Sequence, residues 1–138
     1  MAARPLISRL HRDQCLDLIS RARVGRVALN VGALPAIRTV RFALTGDHVV
    51  FRAAPGSTLG RAAAGVVAFQ VDHLAEHDGE GWWVQVVGRS EAVTHPGVLD
   101  ELERLPLTPW AGPDGSDAFF RLPLDSVSGQ HVRWPEGA

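Results

Sequence analysis

The chain contains no lysine and no tyrosine, and it has one cysteine and one methionine in 138 residues. Each absence closes off some chemistry. Without lysine there is no amine for a Schiff base, which excludes pyridoxal-phosphate catalysis of the usual kind. Without tyrosine there is no phenolic general acid. A lone Cys15 excludes an internal disulfide and a cysteine metal cluster. Its place in the apolar pattern of Leu10, Leu16, Leu18 and Ile19 points to burial on a helix and not to a reactive thiol. No apolar run approaches the length of a membrane span. The opening M-A-A-R-P-L-I-S-R-L-H-R has no apolar core of signal-peptide length. The expectation is a cytoplasmic protein with no membrane association. An excess of positive charge is also missing: 14 arginines, scattered along the chain, face 15 carboxylates for a net charge of −1. That argues against a nucleic-acid partner.

What is present is a globular composition, 46% hydrophobic, in a length that suits one domain over residues 1–138 and buries roughly two thirds of its extended surface. Ser8 to Ala22 reads as a first helix capped by Ser8. Val24 to Asn30 reads as a first strand, and Gly32 and Pro35 bracket a turn. Ala36 to Leu44 reads as a second strand, with Val40, Phe42 and Leu44 on one face and Arg41 on the other. Thr45-Gly46-Asp47 is a hairpin signal leading into a third strand, His48 to Arg52. A short helix from Thr58 to Ala64, ended by Gly65, precedes a fourth strand, Val66 to Val71. The near-continuous apolar run of that strand predicts burial on both faces. Gly81 to Thr94 is a long fifth strand in which Gly88 marks a bulge or a close backbone approach. Pro96, behind Thr94 or His95, opens a helix to Leu105. A Pro- and Gly-rich loop follows to Ser116, and Asp117 to Leu122 and Gly129 to Trp134 read as closing strands. Successive antiparallel strands with three helices beside them predict a mainly β fold, a β-barrel with peripheral helices. A Rossmann domain is excluded, because regular β-α alternation and the G-x-G-x-x-G fingerprint are both missing.

One segment points to a ligand more clearly than any other. In D-H-V-V-F-R-A-A-P-G-S-T-L-G-R-A-A-A, Asp47 to Ala64, a strand is broken by Pro55-Gly56 and followed by a helix that Ser57 or Thr58 can cap. Backbone N–H groups at such a turn attract an anion. Arg52 just before it and Arg61 just after it add full positive charge. The arrangement suits a phosphate group.

The order of segments resembles the pyridoxamine 5′-phosphate oxidase-like family, the split β-barrel flavin-binding proteins, from about Leu10 to Val132. The pieces are P-A-I-R-T-V-R-F at Pro35 to Phe42, F-R-A-A-P-G-S-T-L at Phe51 to Leu59, A-F-Q-V-D at Ala68 to Asp72, G-W-W-V-Q-V-V-G-R-S at Gly81 to Ser90, and S-G-Q-H-V at Ser128 to Val132. The resemblance implies the split-barrel FMN-binding fold, a homodimer, and FMN in clefts between the two subunits. It implies that Arg38, Thr39 and Val40 run beside the flavin and that Arg52 and Ala53 end the next strand. It also implies that Ser57, Thr58 and Leu59 form the phosphate turn and that Trp83 contacts the ring. Thr58 stands where the family usually carries Lys or Arg, and Thr39 where relatives often have proline. The tail R-W-P-E-G-A lacks the arginine-rich substrate motif of the true oxidases, so that specific activity is not implied.

The implied function is a flavin-dependent oxidoreductase acting on a small-molecule substrate. The cofactor carries the redox chemistry, and no catalytic side chain is assigned. Relatives that use a 5-deazaflavin, and others that bind haem, keep alternatives open. So does a cofactor-free split-barrel dimer acting as a binding or structural module, which Thr58 and Trp83 favour. Trp82 and Trp83 face opposite sides of their strand, and Trp110 in P-L-T-P-W-A-G-P either covers a cleft or anchors its loop. His73 and His77 have helical i, i+4 spacing but sit in a polar turn between strands without the H-E-x-x-H order, so no metal site is assigned. Ser57 has no G-x-S-x-G context. His11, His48, His95 and His131 show no spacing that joins them into a triad.

Overall fold

Alternation along the strands decides the architecture. In V-G-R-V-A-L-N-V, Gly25, Val27 and Leu29 are buried while Val24, Arg26 and Ala28 face outward, the two-residue period of a half-buried strand. A computed structural model of the chain describes residues 4–107 and 117–135. The strands are β1 (Leu6–Arg9), β2 (Val24–Val31), β3 (Leu34–Thr45), β4 (His48–Ala53), β5 (Gly65–Ala75), β6 (Glu80–Ala92), β7 (Ala118–Pro123) and β8 (Ser126–Arg133). The helices are α1 (Arg12–Ser20), α2 (Thr58–Ala62) and α3 (Pro96–Leu102).

Every pairing is antiparallel. β2 joins β3, β3 joins β4, β4 joins β7, β7 joins β6, β6 joins β5, and β5 returns to β2. This closes a six-stranded barrel, with β8 and then β1 added on the free edge of β6. Two long strands serve both halves of the barrel. β3 pairs with β2 through Arg41 and with β4 from Phe42 onward. β6 pairs with β8 through Val87 and with β7 at Glu91 and Ala92.

The inward residues form one core. Phe42 meets Phe69 edge-on at 4.9 Å between ring centroids, and Phe51 stacks on Phe120 at 5.7 Å. Burying a side chain of this kind contributes ~1.5–3 kcal/mol. α1 adds Cys15 and Ile19 to the same core. It lies close on β8 because Gly129 has no side chain: a Cβ there would stand 2.8 Å from the Trp83 carbonyl oxygen and 2.9 Å from Cys15 Sγ. α3 covers the outside of β4 and β7, packing Leu102 on Val50 and Phe119 in a second cluster. Among the described residues nothing covers the outside of β2, β3, β5 and β6 in the same way: Val24 is 45%, Ile37 64%, Val66 62% and Val87 42% exposed. Among the described residues no helix is long and apolar enough to cross a membrane.

The barrel with peripheral helices is as expected from the sequence, and several local expectations are corrected. Ser8 lies in β1, not at a helix start; α1 begins at Arg12, where the Gln14 side chain accepts the His11 N–H at 2.8 Å. Four residues pairing with β8 override the local helical pattern. Pro35 is within β3, opposite Asn30, and the turn is Gly32-Ala33 with Gly32 at φ +62°. Proline is tolerated there because that half of β3 has a neighbour on one side only. α2 ends at Ala62 with Ala63 as its cap, and Gly65, at φ +144°, opens β5. β5 buries one face and not both, since its even-numbered residues lie on the uncovered outer side. Gly88 sits in an unbroken β5–β6 register, so it is no bulge. It lies where β6 passes from β8 to β7, and a Cβ there would touch Leu122 at 3.4 Å.

Candidate functional site

The site is a gap left by barrel closure. The β3–β4 ladder stops at Phe42–Phe51. The next two pairs in that register, Arg41 with Arg52 and Val40 with Ala53, do not form because β3 turns away to follow β2. Between the parted strands lies a cavity of about 350 Å³, at the small end of the range for sites that hold organic ligands. Arg38, Thr39, Val40 and Arg41 form one lip. Arg52, Ala53 and Ala54 form the other, and Ser57, Thr58 and Leu59 close the end. Leu107 and Asp117 complete the wall.

The turn is built from the β4 exit. The Ser57 N–H donates to the Ala54 carbonyl at 3.0 Å, and the Ser57 hydroxyl donates to that oxygen at 2.7 Å. The Ser57 hydroxyl oxygen in turn accepts the Gly60 N–H at 3.0 Å, the N-cap bond of α2. Gly60 is required: a Cβ on it would overlap the Ala54 carbonyl. Gly56 is not required by the backbone; its φ is negative and a Cβ there would meet nothing within 4 Å. Ser57 is thus committed to the turn. Thr58 and Leu59 present first-turn N–H groups for which the helix has no acceptor.

Charge comes from three arginines, Arg38, Arg41 and Arg52. Arg38 is exposed and folds back so that Nη1 donates to the Ile37 carbonyl at 2.8 Å. Arg52 is half-buried. Its guanidinium lies 4.5 Å over the Phe119 ring, Nη1 reaches the Leu107 carbonyl at 3.4 Å, and Nε is buried with no partner. On the same wall Asp117 is 8% exposed, and its Oδ1 is also buried without a partner. Buried polar atoms without partners are uncommon in folded proteins, and these two belong to residues that border the same cavity.

Eight of the nine residues singled out from the sequence border this one cavity: Arg38, Thr39, Val40, Arg52, Ala53, Ser57, Thr58 and Leu59. Trp83 does not. It lies on the outer face of β6, beside a separate concavity with Arg9, Gln85 and Gln130. β6 is three strand positions from β3, about 14 Å at the usual spacing. Trp82 points the other way and packs against the core. Arg61 is exposed in the last turn of α2 and does not border the cavity. Trp110 lies outside the described residues. Sequence reasoning missed Arg41, Ala54, Leu107 and Asp117. A signal existed for Asp117, a single carboxylate at the mouth of the apolar strand A-F-F-R-L-P, but it reads equally well as a strand end. His73 and His77 both bond to the Asp78 carboxylate, at 3.2 and 3.4 Å, and His131 bonds to Glu80 at 3.1 Å.

Comparison with known proteins places this geometry in context. A family model described as pyridoxamine 5′-phosphate oxidase matches residues 11–131. Over 91 residues the chain is 34% identical to an uncharacterized protein of Mycobacterium tuberculosis, spanning 64% of this chain and 79% of that one. The structure of an FAD-binding protein from Mycobacterium smegmatis superposes with a TM-score of 0.78 at 27% identity, covering 91% of this chain and 98% of that one. A Corynebacterium glutamicum protein superposes with a TM-score of 0.81 at 23% identity, covering 94% and 96%.

Proposed function

The chain belongs to the pyridoxamine 5′-phosphate oxidase family, and on that premise we propose that it is an FMN-binding oxidoreductase acting as a homodimer on a small-molecule substrate. The observation that carries the reading is the cavity where β3 parts from β4, bordered by Arg38, Arg41 and Arg52 and bounded by the capped turn at Ser57. A phosphate ester bound there would accept from the Arg52 guanidinium and from the first-turn N–H groups of Thr58 and Leu59. The guanidinium of Arg52 reaches the anion from the strand and stands in for the cation that the family places at the position of Thr58. Arg38 and Arg41 add positive potential along the opposite lip. When bound, the flavin supplies the electron and hydride chemistry. The chain anchors the phosphate, lines the ring with the β3 backbone at Thr39 and Val40, and excludes water.

The uncovered sheet face supports the homodimer reading. Val24, Ile37, Val66 and Val87 flank a polar strip in which Arg26 pairs with Asp72 at 2.8 Å and Gln85 donates to Gln70 at 2.8 Å. An apolar face of this kind beside a ligand cavity suits a two-fold partner. Ile37 adjoins the cavity lip, so a second copy on this face extends the site. The partner subunit's Trp83, which shares that face, then reaches a ring that this chain's own Trp83 cannot. FAD is the second reading. It is favoured by the Mycobacterium smegmatis protein, whose name records FAD binding, and it shares the phosphate and ring contacts.

The test is the absorbance spectrum and molar mass of the purified protein, with the released chromophore identified by chromatography. A yellow dimer releasing one FMN per chain supports the proposal, and FAD in its place supports the second reading. A 5-deazaflavin moves the assignment to the alternative cofactor. Colourless protein that takes up neither FMN nor FAD overturns the flavin reading and leaves a binding or structural module.

A further inference from the structure

We propose that the chain has a second binding site, under α1, for an organic cation: a protonated amine on an aromatic or other apolar body. The inference is independent of the flavin reading. It starts from the core phase of three adjacent strands. Val71, Val84 and Gly129 form one buried cross-strand row. Two residues further along each strand the same phase holds His73, Trp82 and His131, again in register. Here the core gives way to a cavity of about 570 Å³, which Leu10 and Leu18 border from the α1 side. That size is usual for sites that hold organic ligands. Trp82 is half-buried and packs against the core, so its indole forms the apolar floor.

The charge around that floor is acidic. Asp17, Asp78 and Glu80 border the cavity, and among the described residues no arginine does. Asp17 is paired with Arg21 at 2.8 Å. His73 Nε2 lies 3.2 Å from Asp78 Oδ2, and His131 Nε2 lies 3.1 Å from Glu80 Oε2, so these two carboxylates stand on the two flanks of Trp82. They do not converge on a point: among the described residues no three His, Cys, Asp or Glu side chains are placed to hold a metal ion. Carboxylates spread around an aromatic floor suit a larger cation. Its ammonium takes a charge-assisted bond from a carboxylate and lies against the indole, while its apolar body meets Leu10 and Leu18. The phosphate cavity has the opposite sign, with three arginines, and shares no residue with this one. Strand alternation sets Trp82 on the side of β6 opposite Trp83, so a second copy on the Trp83 face leaves the site open.

The experiment is titration calorimetry of the full chain with phenethylamine and with phenethyl alcohol, which has the same body and no charge. The amine is expected to bind once per chain and about tenfold or more tighter than the alcohol. The double variant D78N/E80Q keeps both side-chain volumes and an acceptor for each histidine; it is expected to weaken the amine about tenfold and to move the alcohol by about twofold or less. Proton NMR of the unaltered chain carries the test should the variant fold poorly: the ring signals of His73 and His131 shift with the amine, and added FMN does not reverse the shift. No saturable binding of the amine in the millimolar range overturns the inference. So does equal binding of amine and alcohol, amine binding unmoved in the double variant, unmoved histidine signals, or displacement of the amine by FMN. A chain that takes the amine in this way but no flavin overturns the flavin proposal alone.

Discussion

Replacing Arg52 with methionine tests the anchor of the proposed site, and the structure fixes the sign of each consequence. Methionine keeps an unbranched apolar stem and removes the charge and every donor. In the free protein two effects oppose. The variant loses the guanidinium over Phe119 at 4.5 Å and the 3.4 Å bond to the Leu107 carbonyl, of which the first contributes ~0.5–2 kcal/mol. It also loses a buried donor without a partner, whose desolvation costs ~1–3 kcal/mol. Folding stability therefore shifts by about 1 kcal/mol or less, a few degrees in Tm. In the complex nothing opposes: a charge-assisted bond to phosphate contributes ~1.5–3 kcal/mol, and FMN affinity falls about 10- to 150-fold. The assay is quenching of flavin fluorescence on titration, with riboflavin alongside. Riboflavin has the same ring and chain without the phosphate, so its affinity changes by about twofold or less. The phosphate assignment fails if both flavins weaken alike, or if FMN binding is unmoved.

Three further outcomes follow from named contacts. Gly60→Ala forces a methyl into the Ala54 carbonyl; the expected cost is ~1–3 kcal/mol, seen in urea unfolding, with loss of FMN uptake as the turn opens. Val66→Glu, at a position 62% exposed in the single chain, leaves the monomer fold intact by circular dichroism and gives a monomer by light scattering; a dimer of unchanged stability refutes the assignment of that face. Burial pushes the Cys15 thiol up, partly offset by Arg12. A thiol raised in the folded state favours folding fully below its unfolded value, about 8.5, and that contribution is lost as pH rises beyond it, because the unfolded chain then releases the proton first. Stability of wild type should fall between pH 8 and pH 10, about the range of thiol titration, more steeply than that of Cys15→Ala; parallel slopes remove the account.

Much of this was legible because strands declare themselves by alternation and hairpins by their turns. V-G-R-V-A-L-N, R-T-V-R-F-A-L and H-V-V-F-R gave three strands in place, and Pro55-Gly56-Ser57-Thr58 gave the turn and its cap. β1 was missed because L-I-S-R also fits the stripe of the helix that follows, and only the distant β8 makes it a strand. The exposed side of β5 was misread for a related reason. V-V-A-F-Q-V is apolar on both faces, and whether the second face meets protein from the same chain is a question of topology that a local pattern does not hold. Trp83 was grouped with the site through family resemblance; within one chain the strand order sets it three positions from β3, and a contact between two copies is not something a local pattern holds.

The alternation also explains why the cavity is cationic where it is. Along β3 the residues Arg38, Val40 and Phe42 share one phase, and Val40 and Phe42 are in the core. An arginine in that phase would normally be forced into the barrel interior, where an unpaired charge is very costly. Arg38 is exposed because β4 has already parted from β3, so the inward direction there opens on the cavity and not on packed side chains. Arg52 comes to the other lip from the opposite phase: Phe51 and Ala53 face the core, whereas Arg52 shares the side of Val50, under α3, with its guanidinium over Phe119. A core-phase arginine on β3, close to the residue where its pairing with β4 ends, marks an opening in a closed barrel. The chemistry of the site and the split in the sheet are therefore one feature, written in the sequence as R-T-V-R-F and V-F-R-A and made visible by the register that separates them.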